Sequence, residues 1–236
     1  MATETGIKPQ ETIAFELDGR AFELPLITGT ENERAIDIRK LRSATGLITF
    51  DPGYGNTGAC KSAITFIDGE AGILRYRGYA IEELAERSSF LEVAWLLIHG
   101  ELPSQAELDD FEEQITYHTM LHESFGSFFS AMPKDAHPMP VCAAAVAALA
   151  TFYQEPLSDD SIHQSIIRLL AKMPTIAACS FKHFQGQPFI YPQNELDYPS
   201  NFLRMMFAVP CEEYVVDPVG VEAIDQLRLV AEETVP

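Results

Sequence analysis

The stretch AITFIDGEAGILRYRGYAIEELAERSSFLEVAWLLIHGELP, Ala63–Pro103, decides the fold. Ile64, Thr65, Phe66 and Ile67 form a short β-branched and aromatic run, and Ile73 to Arg77 forms a second. Asp68-Gly69 between them supplies turn chemistry, because both residues tolerate positive φ, and Gly78 ends the returning strand. From Ile81 the apolar period switches from two towards that of a helix, with Ile81, Leu84 and Ala85 on one face. Ser89 and Glu92 have capping-box spacing and open a second helix that runs to His99, with Gly100 just past its end. This predicts a hairpin feeding a helical pair. By itself the stretch carries no chemistry.

Upstream, Thr12 to Leu26 reads as another hairpin, with Ile13, Phe15 and Leu17 alternating and Asp18-Gly19 as the turn. Asp51 to Asn56 is a loop of turn formers; it lacks the Gly-Lys-Ser/Thr ending of a nucleotide P-loop. Downstream the chain reads as helical almost throughout. Ser104 and Glu107 form a second capping box, starting a helix with Leu108, Phe111, Ile115 and His118 at core spacing. Phe125, Phe128, Phe129 and Met132 line the next helix, stopped by Pro133. Val141 to Phe152 is apolar on every side and is expected to be a fully buried helix. Ser161 to Lys172 is amphipathic, continuing through Pro174 to Lys182 with a kink. Ser200 is placed to cap a helix with Phe202, Leu203, Met206 and Phe207 inside, and Pro218 opens a last one.

With 236 residues the chain can form one large domain or two small ones, and it has the composition of a globular protein. Net charge is -19, with 35 acidic against 16 basic residues, which argues against binding nucleic acid or an anionic membrane surface. Cysteines 60, 142, 179 and 211 are widely spaced and are expected to be buried, reduced thiols. MATETGIKPQET lacks a basic n-region and an apolar h-region, and Met139–Phe152 is too short to span a bilayer. A cytoplasmic location is expected.

The histidines are the first suspects for chemistry. His118 and His122 are placed i, i+4, but no third metal ligand accompanies them, so a packed pair is the favoured reading. His99 lies in a last helical turn, where partial positive charge suits the dipole. His137, His163 and His183 have no constellation around them. No G-x-S-x-G or H-E-x-x-H is present, nor a G-x-G-x-x-G following a strand.

Together with Ala63–Pro103, five ordered blocks carry a family resemblance: Ile36–Cys60, Tyr117–Ser124, Asp135–Met139, Leu169–Ala178 and Gly186–Tyr214. The chain resembles the amino-terminal half of the citrate synthase family, in its bacterial type II branch, from about Ile13 to about Leu229. The resemblance implies a mainly α fold: a β-hairpin segment over residues 1–30, then a partial helical large domain over 31–236. It also implies condensation of acetyl-CoA with oxaloacetate by the complete enzyme, and a homo-oligomer, dimer or hexamer. In the family the catalytic carboxylate, both catalytic histidines and the substrate arginines lie downstream of the matched region. Where the family has the first histidine of H-A-D-H-E, this chain has Ala231. No catalytic residue is therefore carried over.

The resemblance does carry over one regulatory set. Some family members bind NADH as an inhibitor, with no redox role, and Tyr153, Arg168, Lys172, His118, Thr119 and Cys211 occupy the matching positions. Tyr117 stands where those members have an arginine. The competing reading of Arg168 and Lys172 is a solvated basic pair on one helix face. No other cofactor is implied. Three alternatives stay open for the function: a 2-methylcitrate synthase fragment, a non-catalytic protein that associates with a full-length homologue, or a truncated product without function. Supplied with acetyl-CoA and oxaloacetate, the purified chain is expected to release no CoA at the roughly 1 per second usual for enzymes. Turnover at that rate overturns the expectation.

Overall fold

The structure, a computed structural model, describes residues 11–231, with side chains of the last helix as far as Leu227. It divides into two compact units, one ending at Ser62 and the other beginning at Ala63. The first holds β1 (Thr12–Leu17), β2 (Arg20–Thr28), β3 (Arg34–Ile36) and α1 (Leu41–Thr45). Its strands form an antiparallel sheet in sequence order, with Phe15 opposite Phe22. Asp18 and Gly19 both have positive φ, 49° and 74°, the two-residue turn whose twist matches that of the strands it joins. Asp37 is buried and accepts a two-pronged bond from Arg39, which holds its carboxyl well down, at about 2.

The second unit opens with β4 (Thr65–Asp68), β5 (Ile73–Tyr76) and β6 (Tyr79–Ala80), again antiparallel. One detail differs from the sequence reading. The β4–β5 turn is a four-residue loop, closed because Asp68 Oδ1 accepts the amides of Glu70 and Ala71, and its positive φ falls on Gly72 rather than Gly69. The returning strand ends at Arg77-Gly78, as read, and there the chain makes a second tight turn into β6, with positive φ at both residues. Arg77 then reaches out of that turn, and its Nη2 donates to the Leu97 carbonyl at 2.6 Å.

Helices follow: α2 (Ile81–Arg87), α3 (Phe90–His99), α4 (Gln105–Tyr117), α5 (Phe125–Ser130), α6 (Pro138–Leu149), α7 (Asp159–Gln185), α8 (Tyr198–Phe207) and α9 (Pro218–Ala231). The chain is mainly α, preceded by short hairpins, as expected. Both predicted capping boxes form, at Ser89–Glu92 and Ser104–Glu107. For α8 the cap lies three residues earlier than expected: Asp197 accepts from the Ser200 amide, which buries Ser200 and turns Met205, not Met206, into the core. The helix α6 is not fully buried. Val141, Cys142, Ala145 and Leu149 face inwards, whereas Met139 is 68% exposed and Ala143, Ala144 and Ala147 also face out. Small apolar residues on all sides left its orientation unreadable. The thiol expectation holds only in part: all four cysteines are free, with Cys142 and Cys179 buried but Cys60 and Cys211 exposed.

α7 runs unbroken for 27 residues, about 40 Å, with Pro174 inside it. One part of it, Ile167 and Ala171, packs with Leu91, Phe111 and Ile115 of α3 and α4. A later part, Ile176 and Cys179, packs with Phe125, Phe129, Val141 and Leu149 of α5 and α6. Pro174 has no N–H, so the Leu170 carbonyl one turn back loses its intrahelical donor. Tyr198 at the start of α8 supplies the replacement, its hydroxyl donating to Leu170 O at 2.8 Å. Tyr198→Phe should therefore cost about 1–3 kcal/mol of stability, the penalty for an unsatisfied buried acceptor. In a Pro174→Ala background, where the helix regains its own donor, the same change should cost well under half as much. Urea denaturation of the four proteins of this cycle measures the coupling; strict additivity would refute the pairing.

Candidate functional site

Three of the six carried-over residues, Tyr153, Arg168 and Lys172, meet around the middle of α7. The helix begins on a reciprocal cap, Ser158 with Ser161, and its first turn carries Asp159 and Asp160, which suit the positive end of the dipole. Two turns on, Arg168 lies over the Tyr153 ring, its guanidinium carbon 4.6 Å from the centroid. The same guanidinium bonds both oxygens of Glu155, at 3.1 and 3.2 Å, with 18% of its side chain exposed against 50% for the carboxylate. Glu155 was not legible as a site residue, because it is 13 positions from Arg168 and meets it only through the loop after α6.

Lys172 behaves differently from its neighbour. It is only 4% exposed, and its Nζ donates to the carbonyls of His118 at 2.6 Å and Met120 at 2.5 Å. The carbonyl between them, Thr119 O, accepts from Thr175 Oγ1 at 2.9 Å. Two side chains of α7 thus take three successive carbonyls just beyond the end of α4, where the chain reverses and helical donors run out. Burial, with a smaller push from the charge on Arg168, lowers the Lys172 ammonium to about 8. Lys172 Nζ also lies over the Tyr153 ring, 5.9 Å from its centroid.

The structure brings Tyr153, Arg168, Lys172 and the His118 backbone together. The His118 ring is turned the other way, with Nδ1 2.6 Å from Gln114 O, and Thr119 Oγ1 bonds back to Thr116 O. Cys211 is exposed in the loop after α8, and none of the described bonds or ring contacts ties it to this group. Tyr117 is exposed on the last residue of α4.

The remaining histidines serve local structure. Since α4 ends at Tyr117, His118 and His122 do not share a helix; His122 Nδ1 accepts the Ser124 amide and its ring packs on Phe152. His137 Nδ1 accepts from the Met139 amide and caps α6, a role with no sequence signal of the Ser or Asp kind. His183 Nε2 lies 3.2 Å from Met132 O, and His99 stacks on Trp95 with His163 at its edge. Among the described residues no three His, Cys, Asp or Glu are grouped to hold a metal, and no helix is long and apolar enough to cross a membrane.

A cavity of about 590 Å³ opens in the second unit between α3, α4, α8 and α9, with Thr119 of the carried-over set and Pro174 of α7 also in its lining. Its floor is apolar, with Leu91, Ile115, Pro174, Met205 and Val221. Its charged lining is acidic throughout: Glu112, Asp197, Glu222 and Asp225.

A helical body of this order, entered through short hairpins, can be set against known proteins. The family model for "Citrate synthase, C-terminal domain" matches residues 53–234. The chain belongs to the citrate synthase family. A curated citrate synthase from Corynebacterium glutamicum is 47% identical over 215 residues, 90% of this chain and 49% of that protein. Citrate synthase 1 of Mycobacterium tuberculosis is 48% identical over 223 residues, 93% of this chain and 52% of that protein. The chain thus spans about half the length of the curated relatives it matches.

Solved structures of the family give the same proportion. The citrate synthase of Pyrobaculum aerophilum aligns with a TM-score of 0.66 at 28% identity, over 96% of this chain and 53% of that one. That of Thermotoga maritima aligns at 0.66 and 27%, over 80% and 48%. At 22% identity the Thermoplasma acidophilum citrate synthase, solved as a ternary complex with carboxymethyl coenzyme A and oxaloacetate, shares the fold with a TM-score of 0.70, over 77% of this chain and 47% of that one.

The lowered Lys172 gives the site a measurable signature. Below pH 8 the folded and unfolded chains both carry this proton, and the cost of burying the charge is felt in full. Between about 8 and the ordinary 10.5 the folded chain has released a proton that the unfolded chain still binds, so stability rises with pH across that window. Relative to Lys172→Met, the wild type should gain stability from pH 8 to 10.5 in urea titrations. A flat difference would show that the ammonium is not under this penalty.

Proposed function

We propose that this chain is one half of a citrate synthase-type acyltransferase, which joins the acetyl group of acetyl-CoA to oxaloacetate to give citrate and free CoA. The observation that carries this reading is the identity of nearly one half to curated citrate synthases over nine-tenths of the chain. On this reading the chain supplies the hairpin-led helical scaffold, and the half it does not span supplies the groups that deprotonate the thioester methyl and stabilise the enol oxygen. The histidines described above support that division of labour, because several of them are engaged in caps or with backbone carbonyls. The test is a single polypeptide fusing this chain to the portion of the Corynebacterium glutamicum enzyme that it does not match. CoA release at about 1 per second or more is expected. A folded but inactive fusion would overturn the reading.

Regulation at α7 belongs to the same proposal. NADH is held as an effector, without redox turnover, by stacking on Tyr153 and by a phosphate taking the place of Glu155 on Arg168. The stack and the exposed Glu155 support this, since a half-exposed carboxylate is exchangeable for a better anion. Lys172, bonded to the His118 and Met120 carbonyls, acts through them rather than by touching the phosphate. Arg168→Ala should abolish NADH binding in a fluorescence titration, while Glu155→Gln strengthens it severalfold. Tyr117→Arg, restoring one charge-assisted bond of about 1.5–3 kcal/mol, should tighten it by about tenfold to a hundredfold. Equal affinity across the four proteins would reduce the residues to an ion-paired helix face.

A further inference from the structure

Four of the 6 histidines meet the backbone, and they divide by what they meet. His118 Nδ1 lies 2.6 Å from Gln114 O, and His183 Nε2 lies 3.2 Å from Met132 O. A carbonyl only accepts, so each of these two nitrogens carries a hydrogen, as it can in the neutral or the charged ring. His122 Nδ1 lies 3.1 Å from the Ser124 amide, and His137 Nδ1 lies 3.2 Å from the Met139 amide. An amide only donates, so these two nitrogens must be bare. Neither bond survives a proton on the ring, which turns the acceptor into a second donor.

Both bare nitrogens bear on one pair of helices. His137 is the N-cap of α6. His122 holds the entrance to α5, and its ring packs at 5.1 Å on Phe152, just beyond α6. α5 and α6 together grip α7, where Phe125, Phe129, Val141 and Cys142 pack with Ile176 and Cys179. A charged ring at either entrance also sets positive charge against the positive end of the helix dipole, and neither helix has an acidic residue in its first turn to offset it. The charged groups on the neighbouring segments are Glu123, Lys134, Asp135, Glu155, Lys182 and His183. Lys182, His183 and Glu155 are engaged with Ala208 O, Met132 O and Arg168, and none of the described bonds ties any of the six to either ring.

We propose that α5 and α6 are an acid-released pair: protons on His122 and His137 uncap both helices and loosen them from α7. Imidazole is the side chain that takes up its proton in mild acid. A proton on either ring fits only the uncapped form, so falling pH draws the pair towards it. His118 and His183 keep their bonds through the same change, because a charged ring still donates to a carbonyl. The backbone partner, not the residue type, sets the response.

Hydrogen exchange of the full chain, followed by mass spectrometry at about pH 7.5 and about pH 5.5 and corrected for the intrinsic rate, reads the release. Wild-type peptides from α5 and α6 should lose protection about fivefold or more in acid, the effect of one lost N-cap, while those from α3 and α4 keep theirs. His122→Asn with His137→Asn supplies an oxygen that accepts the amide at either pH, and should keep α5 and α6 protected throughout. His183→Gln leaves both caps in place and should lose protection as the wild type does. Unchanged protection in the wild type overturns the proposal. Equal loss in the double variant assigns the effect to the carboxylates of the chain and overturns it too, as does abolition of the loss by His183→Gln. Two measurements stand if the double variant does not fold. His137→Asn alone should reduce the loss in α6, and no reduction is fatal. Nitrogen NMR of the neutral wild type should place the ring hydrogen of His122 and His137 on Nε2; a hydrogen on Nδ1 of either ring refutes the caps.

Discussion

Two ammonium groups inside the helical body, Lys172 and Lys182 on α7, are the constraint around which the rest is built. A buried charge is costly unless it is hydrogen-bonded, and here backbone carbonyls do most of that bonding. Lys172 takes His118 O and Met120 O, while Lys182, 1% exposed, takes Ala208 O and the Gln187 side chain, each at 2.7 Å. The partners are the places where α4 and α8 end. Helix ends leave carbonyls without donors, so the cost of burying each ammonium and the cost of burying each helix end offset one another. Burial lowers both lysines, the expected sign for cations held by neutral dipoles instead of carboxylates.

The same logic recurs at the other seams of the second unit. Pro174 removes a donor from α7, and Tyr198 returns one while its ring stacks on Phe90 at 5.4 Å. Arg77, pushed out of a tight turn, donates to a carbonyl in the last turn of α3, where the negative end of the dipole favours it. Each seam therefore joins a helix carbonyl to a side chain distant in sequence. α8 is fixed against α7 in this way, and with α9 it forms walls of the acidic cavity.

Met139 on α6 and Val219 and Leu227 on α9 are exposed apolar side chains, and the cavity lining carries four carboxylates. In the proposed reading NADH acts as an effector at the group on α7. Such a group can act only through a difference in affinity between two states of the whole. The carbonyls of residues 118–120, held from α7, offer a physical connection between a ligand on Tyr153 and the end of α4.

The sequence by itself determined the two hairpins, the capping boxes at Ser89 and Ser104, and the run of amphipathic helices. These signals are local: a turn pair, a cap and a periodic face lie within a few residues of one another. The ordered motifs also named the family, because order along the chain survives without any knowledge of contacts. Only the tertiary structure decided that Lys172 faces inwards while Arg168, one turn earlier, faces a carboxylate. A helical wheel places them on one side and cannot say which part of that side is covered. It also decided that α6 buries one face alone, that Glu155 joins the site, and that Tyr198 completes the helix that Pro174 interrupts. In each case the deciding partner is at least 13 residues away, and which surface is dry depends on what the whole chain packs against it.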